Sequence, residues 1–157
     1  MTLKNHYVRR PNTWKGRGKS WLFGMVLDKR RGWKIQPSPA NSEYPEVYKQ
    51  LQDLMKTHDE HFSWTTINVN LNIRCKDHVD KGNLGDSIIV GLGDYQGGEF
   101  VLKKTPIPLT FSSSPPPIVP ICRHETKYNI KRNFVRFCAK SQKHATEPFT
   151  GNRLSIT

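Results

Sequence analysis

The chain has 157 residues, 35% of them hydrophobic, which suits one domain with a real core and is short for two. No apolar run approaches the roughly 20 residues of a membrane-crossing helix, and the polar, basic opening MTLKNHYVRR has no signal-like stretch. Membrane partners are therefore not expected, an intracellular location is, and 25 Lys plus Arg against 13 Asp plus Glu (formal charge +12) make DNA or RNA the expected polyanionic partner.

Taken in chain order, the first forty residues read as irregular or short-stranded. Basic residues concentrate between Arg9 and Arg31, with Trp14, Trp21 and Trp33 interleaved, a mixture suited to phosphate contact and base stacking. The expected footprint is Arg9, Arg10, Lys15, Arg17, Lys19, Arg30 and Arg31, while His6 reads as a tail residue. Trp21 to Leu27 is a buried-strand candidate, and Pro37-Ser38-Pro39 is a break in regular structure. From Pro45 to about His58, Val47, Leu51, Leu54 and Met55 recur at helical spacing, which predicts one amphipathic helix packed on a sheet.

The remainder reads as β. Ile67 to Ile73 alternates aliphatic residues with Asn68, Asn70 and Asn72, so one strand face is apolar and the other implies a polar, lined cavity. Further strands are predicted at Ser87–Leu92, Gly98–Leu102, Asn133–Phe137 and Arg153–Ile156, with Gly97-Gly98 as a tight turn. Between them, the proline-rich stretch from about 103 to 127 cannot supply central-strand donors and reads as an insertion into a single domain spanning 1–157. A second basic group runs from Lys127 to Lys143. Many short strands with a preceding helix give a mainly β fold with a flanking helix, a double-layered barrel of the jelly-roll or cupin type. Three cysteines, Cys75, Cys122 and Cys138, are odd in number and lack C-x-x-C spacing, which argues for reduced thiols over a disulfide framework or a thiolate zinc site.

The sharpest local signal is Asp77-His78-Val79-Asp80-Lys81-Gly82-Asn83. In extended backbone His78 and Asp80 point to one side and can share a metal ion. Two His and one carboxylate on one face of a metal leave positions open for a bidentate co-substrate and O₂, the ligand set of non-haem Fe(II) oxygenases. His58-Asp59-Glu60-His61, at the predicted helix end, also offers nitrogen and carboxylate ligands, and His124 competes with His144 for the third position.

The whole arrangement comprises His78-x-Asp80, then Gly93-Asp-Tyr95-x-Gly97-Gly98-Glu99, then His144 followed by Arg153-x-Ser155. It resembles the 2-oxoglutarate/Fe(II) dioxygenases over roughly Ile67 to Thr157. The resemblance implies a double-stranded β-helix in which His78, Asp80 and His144 hold Fe(II). It also implies that Arg153, with Ser155 and Asn70 beside it, holds 2-oxoglutarate, a guanidinium meeting a carboxylate bidentately. His78-Val-Asp80-Lys-Gly-Asn83 with the following Gly85-Asp-Ser87 resembles the TET/JBP group, which oxidises a methyl group on a nucleic-acid base, and implies that Asn83 faces that base. A prolyl-hydroxylase-like enzyme shares most of the layout, and a non-catalytic nucleic-acid-binding β-barrel is the reading from a different class.

Overall fold

The computed structural model describes residues 18–28, 32, 34–103 and 124–157. The basic segment before Gly18, residues 29–31, Trp33, Cys122 and most of the proline-rich stretch lie outside the described residues. So do His6, Trp14 and the footprint expectations on Arg9, Arg10, Lys15, Arg17, Arg30 and Arg31.

A ten-residue strand, β1 (Lys19–Asp28), is followed by β2 (Lys34–Pro37), two helices α1 (Pro39–Glu43) and α2 (Pro45–His58), and nine further strands. These are β3 (Thr66–Leu71), β4 (Ser87–Leu92), β5 (Tyr95–Gly97), β6 (Phe100–Leu102), β7 (Thr126–Tyr128), β8 (Val135–Phe137), β9 (His144–Thr146), β10 (Phe149–Gly151) and β11 (Leu154–Ile156). They form a six-stranded sheet in the order β2-β1-β3-β11-β4-β8, a three-stranded sheet β7-β6-β9 and a two-stranded pair β10-β5, every pairing antiparallel.

The Pro-Ser-Pro element does break the strand, and it opens a helix. Ser38 caps α1, its hydroxyl accepting from the Ala40 amide at 3.3 Å, with Pro39 in the first turn where its missing N–H costs nothing. The longer α2 starts at Pro45 with Glu46 in its first turn and ends with Lys56 in its last, charges that oppose the helix dipole. Its buried Leu51 and Met55 fall one turn apart on the face turned to the sheet.

Alternation along the strands gives the large sheet two different faces. Ile88 and Val90 of β4 join Trp21, Phe23, Ile67, Val69 and Ile156, together with Leu51 and Met55 of α2, in one core under the helices. Ile89, pointing the other way, joins Phe100 and Leu102 of β6 with Ile130, Phe137 and Ala139 in a second core that binds the small sheet to the large one. Each fully buried large apolar side chain, Phe23 at 2% exposure for example, contributes roughly 1.5–3 kcal/mol. On the inner side, β3 and β11 carry no aliphatics. They present Asn68, Asn70 and Ser155 instead, with Ser155 directly opposite Asn70 in the ladder. The expected polar face of the asparagine strand is thus real, and it looks into the space between the sheets.

The observed strand β3 stops at Leu71, two residues short of the expected end, because Asn72 leaves the ladder at φ 53°. Its carboxamide oxygen accepts the Arg153 amide at 2.8 Å, and its backbone N–H donates to the Arg153 carbonyl at 2.8 Å. The proline-rich insertion was expected to run to residue 127, yet Thr126–Tyr128 pairs with β6 as β7, since the proline-free end of the stretch has all its donors.

Candidate metal and co-substrate site

Residues 72–86 between β3 and β4 form no strand, so the expected extended geometry around His78 and Asp80 is supplied from elsewhere. His78 and His144 exchange backbone hydrogen bonds as an isolated antiparallel bridge, at 3.0 and 2.9 Å. The Asp80 amide donates to the Ala139 carbonyl at 2.8 Å. Two chain segments far apart in sequence are thereby tied, and the three side chains converge: one ligand atom from each of His78, Asp80 and His144 lies within 4.8 Å of the others. His78 Nε2 is 3.6 Å from Asp80 Oδ1, and His144 Nε2 is 3.9 Å from Asp80 Oδ2. Among the described residues this is the only such group.

Both imidazoles are oriented by backbone carbonyls. His78 Nδ1 lies 2.7 Å from the Lys76 carbonyl, and His144 Nδ1 lies 2.9 Å from that of Gln142. A carbonyl only accepts, so each Nδ1 carries the proton and each Nε2 turns its lone pair toward Asp80, the arrangement of a metal-binding histidine. His144 is buried against Phe100 and Phe137, at ring separations of 5.7 and 5.0 Å. Burial is the largest influence on it and holds its pKa below the ordinary value.

The rival histidines stay apart. His58 stacks on Phe134 at 3.7 Å, the His61 side chain is 90% exposed beside Glu60, and His124 is exposed at the start of β7.

Arg153 is the most informative side chain in the molecule. It is 1% exposed, and its Nε and Nη2 have no hydrogen-bond partner among the described residues. Its guanidinium lies over Tyr95 at 5.6 Å and over Phe149 at 5.5 Å. Burial lowers its pKa more than the neighbouring Tyr95 and Glu99 raise it, a guanidinium remains charged, and a buried charge without a paired anion costs several kcal/mol. The Tyr95 hydroxyl is buried beside it, close enough to interact with the guanidinium, and makes no well-formed hydrogen bond among the described residues. Orphaned donors around a cation define a place for an anion, and a carboxylate with two oxygens matches them. Asn70 and Ser155, the other expected co-substrate residues, are buried on the same inner face, with Asn70 Oδ1 accepting from Ser20 Oγ at 2.8 Å.

Tyr95 was not foreseen, although it sits inside the Gly93-Asp-Tyr95-x-Gly97-Gly98 motif. The glycines make room for it and for Arg153. A Cβ on Gly91 would collide with the Tyr95 hydroxyl, and one on Gly98, at φ 72°, would lie 2.9 Å from Arg153 Cδ and Nε. Gly97-Gly98 is not the expected tight turn: Gly97 ends β5 opposite Phe149, Gly98 donates to the Pro148 carbonyl at 2.9 Å, and the pair bends the chain from β5 into β6 while Gly98 forms the floor under the guanidinium. Gly98→Ala combines left-handed strain with overpacking and is expected to destabilise the fold by about 2–4 kcal/mol, read from chemical denaturation.

Asn83 sits three residues beyond Asp80. Its amide donates to the Asp80 carbonyl at 3.0 Å and its side chain donates to Ser87 Oγ at 3.1 Å, which closes the turn. It lines a groove of about 580 Å³ with Met25, Phe62, Trp64 and Leu84, a groove that none of the three clustered ligands lines.

No protein-family model matches the chain. No curated protein matches it. Among solved structures it is similar to the crystal structure of an oxidoreductase of the 2OG-Fe(II) oxygenase family from Burkholderia pseudomallei, with a TM-score of 0.52 and 11% sequence identity. The likeness covers 98% of this chain and 70% of that one. At that identity it shows a shared fold, the mainly β, cupin-like architecture expected from the sequence. No helix among the described residues is long and apolar enough to cross a membrane.

Proposed function

We propose that the chain is an Fe(II)- and 2-oxoglutarate-dependent dioxygenase. The observation that supports it most is the coexistence, in this fold, of a converged His-Asp-His cluster and a fully buried arginine whose Nε and Nη2 have no hydrogen-bond partner among the described residues. In this reading His78, Asp80 and His144 hold the metal through two neutral Nε2 atoms and one carboxylate oxygen, a donor set that suits Fe(II). Arg153 and the Tyr95 hydroxyl hold the distal carboxylate of 2-oxoglutarate, flanked by Ser155 and Asn70. When bound, metal and co-substrate supply the means to hydroxylate a C–H bond with O₂ while 2-oxoglutarate is decarboxylated to succinate. The protein's share is to fix the ligands, hold both imidazoles with Nε2 toward Asp80, and exclude water from the guanidinium.

Metal binding requires a neutral His144, and burial depresses its pKa, so protons compete there only below the ordinary histidine value of about 6.5. Mn(II) affinity measured by calorimetry is expected to be flat from about pH 8 to 7 and to fall as the pH drops through the acid range. The same depression stabilises the fold above about pH 6.5 and is lost as the pH falls through the folded-state value, because the unfolded chain then binds more protons.

The substrate belongs to the finer part of the proposal, a methyl group on a nucleic-acid base in the manner of the TET/JBP group. Exposed Lys76, Lys81, Lys140 and Lys143 lie on the two segments that carry the ligands, which suits a polyanionic substrate. Asn83 offers a donor and an acceptor to a flipped base, although its present partner is Ser87. The test measures succinate and oxidised product with methylated DNA, methylated RNA and a proline-containing peptide. Oxidised base supports the nucleic-acid reading, peptide hydroxylation alone replaces it with the prolyl-hydroxylase-like one, and no metal-dependent succinate under any condition removes the enzyme.

A further inference from the structure

The Cys138 amide comes directly after the last residue of β8, where the strand ladder has run out. It is satisfied by a side chain instead: Gln142 Oε1 accepts it at 2.8 Å, while the Gln142 amide returns to the Cys138 carbonyl at 2.8 Å. These two bonds close the loop between β8 and β9 on itself. Gln142 is 2% exposed and Ala139 fully buried, so these two side chains anchor the loop in the core while Lys140, Ser141 and Lys143 stay exposed. An amide is costly to bury there unless its hydrogen bonds are made, and an apolar residue would fill the volume at lower cost. The side-chain amide holds the Cys138 end of the loop in which the Ala139 and Gln142 carbonyls stand.

Those carbonyls reach two of the three clustered ligands. Ala139 O accepts the Asp80 amide at 2.8 Å, and Gln142 O lies 2.9 Å from His144 Nδ1. Asp80 has no strand of its own to hold it, so the Ala139 contact and the turn to Asn83 set its place. His144 has its tautomer chosen by the Gln142 carbonyl. Both contacts thus come from the loop that the buried Gln142 side chain closes.

We infer that Gln142 is a positioning residue for the metal site, acting through the loop it closes rather than by touching the metal; this rests on the metal reading above. An oriented loop lowers the cost of gathering the ligands, and outer partners of this kind change metal affinity on the order of 10- to 100-fold. The contribution lies in metal affinity and ligand geometry, separate from global stability.

The experiment compares wild type with Gln142→Met, which keeps the volume and loses the amide, and with Gln142→Asn, which keeps the amide but falls a methylene short of Cys138. Co(II) is the probe, its visible spectrum reporting ligand geometry and its titration the affinity, while long-range ¹H–¹⁵N spectra of the metal-free proteins report the histidine tautomers. The expected result is a folded variant whose Co(II) affinity falls on the order of 10- to 100-fold with an altered visible band. The His144 proton should sit on Nδ1 in wild type and be shared between the two nitrogens in the variant. If Gln142→Met does not fold, Gln142→Asn decides. Wild-type Co(II) affinity, spectrum and tautomer in a folded variant overturn the inference, as does a wild-type His144 protonated at Nε2. A wild type that binds no Co(II) but shows the Nδ1 tautomer and loses it in the variant sinks the metal reading while leaving the loop's control of His144 standing.

Discussion

Asp80→Ala is expected to abolish Fe(II) binding and turnover while leaving the fold intact. Asp80 is the one anion in the cluster, its two carboxylate oxygens 3.6 and 3.9 Å from the two Nε2 atoms, and without it two neutral imidazoles remain. Its structural contacts are made by the backbone, the amide donating to Ala139 and the carbonyl accepting from Asn83, and alanine keeps both. The loss in metal affinity should exceed the 10- to 100-fold typical of an outer partner. Calorimetric titration with Mn(II), beside a thermal melt, separates the two effects. Unchanged affinity in this variant and in His144→Ala would remove the cluster as the metal site.

Arg153→Leu should split binding from stability in the opposite sense. Metal binding is expected to survive, and 2-oxoglutarate affinity to fall by roughly 2–5 kcal/mol, because the carboxylate would be left buried without its cation. The ligand-free protein should lose little stability or gain some. Wild type already buries a guanidinium whose Nε and Nη2 lack partners, and leucine relieves that cost, though it forfeits the contacts over Tyr95 and Phe149. Equal co-substrate affinity in the variant and wild type would dismiss Arg153 from this role.

The parts of the molecule legible in the sequence are those with a long period or a strong chemical signature. Ile67-Asn-Val-Asn-Leu announces a strand with unlike faces, and β3 has them. Pro45 to His58 carries both a helical stripe and end charges of the right sign, and α2 occupies that span. His78-x-Asp80 is a weak signal alone and becomes legible only through its combination with His144 and the following Arg153-x-Ser155. The strands β5, β7, β9 and β10 have three residues each, too few for alternation to show, and β9 carries His144. Tyr95 and Gln142 escaped for another reason: a buried phenol or amide has no sequence pattern of its own, and its function lies in partners far along the chain. The signal for Tyr95 lies in the surrounding glycines: Gly91 reads as a strand residue and Gly98 as part of a turn, yet both are clearances.

The place of β11 in the large sheet bears on how the molecule assembles. It lies between β3 and β4, hydrogen-bonded to both, so the two strands nearest the metal loop do not touch one another. During synthesis β1 and β3 can pair early, but β4 has no neighbour on that side until β11 has emerged, and neither Arg153 nor the inner face it completes exists before then. A sheet whose central strand is the last in chain order closes through non-local contacts, which favours slow folding with a long-lived open edge on β3 and β4. Chaperone dependence and aggregation on rapid expression would result from that exposed edge, and slower synthesis at low temperature should raise the soluble yield.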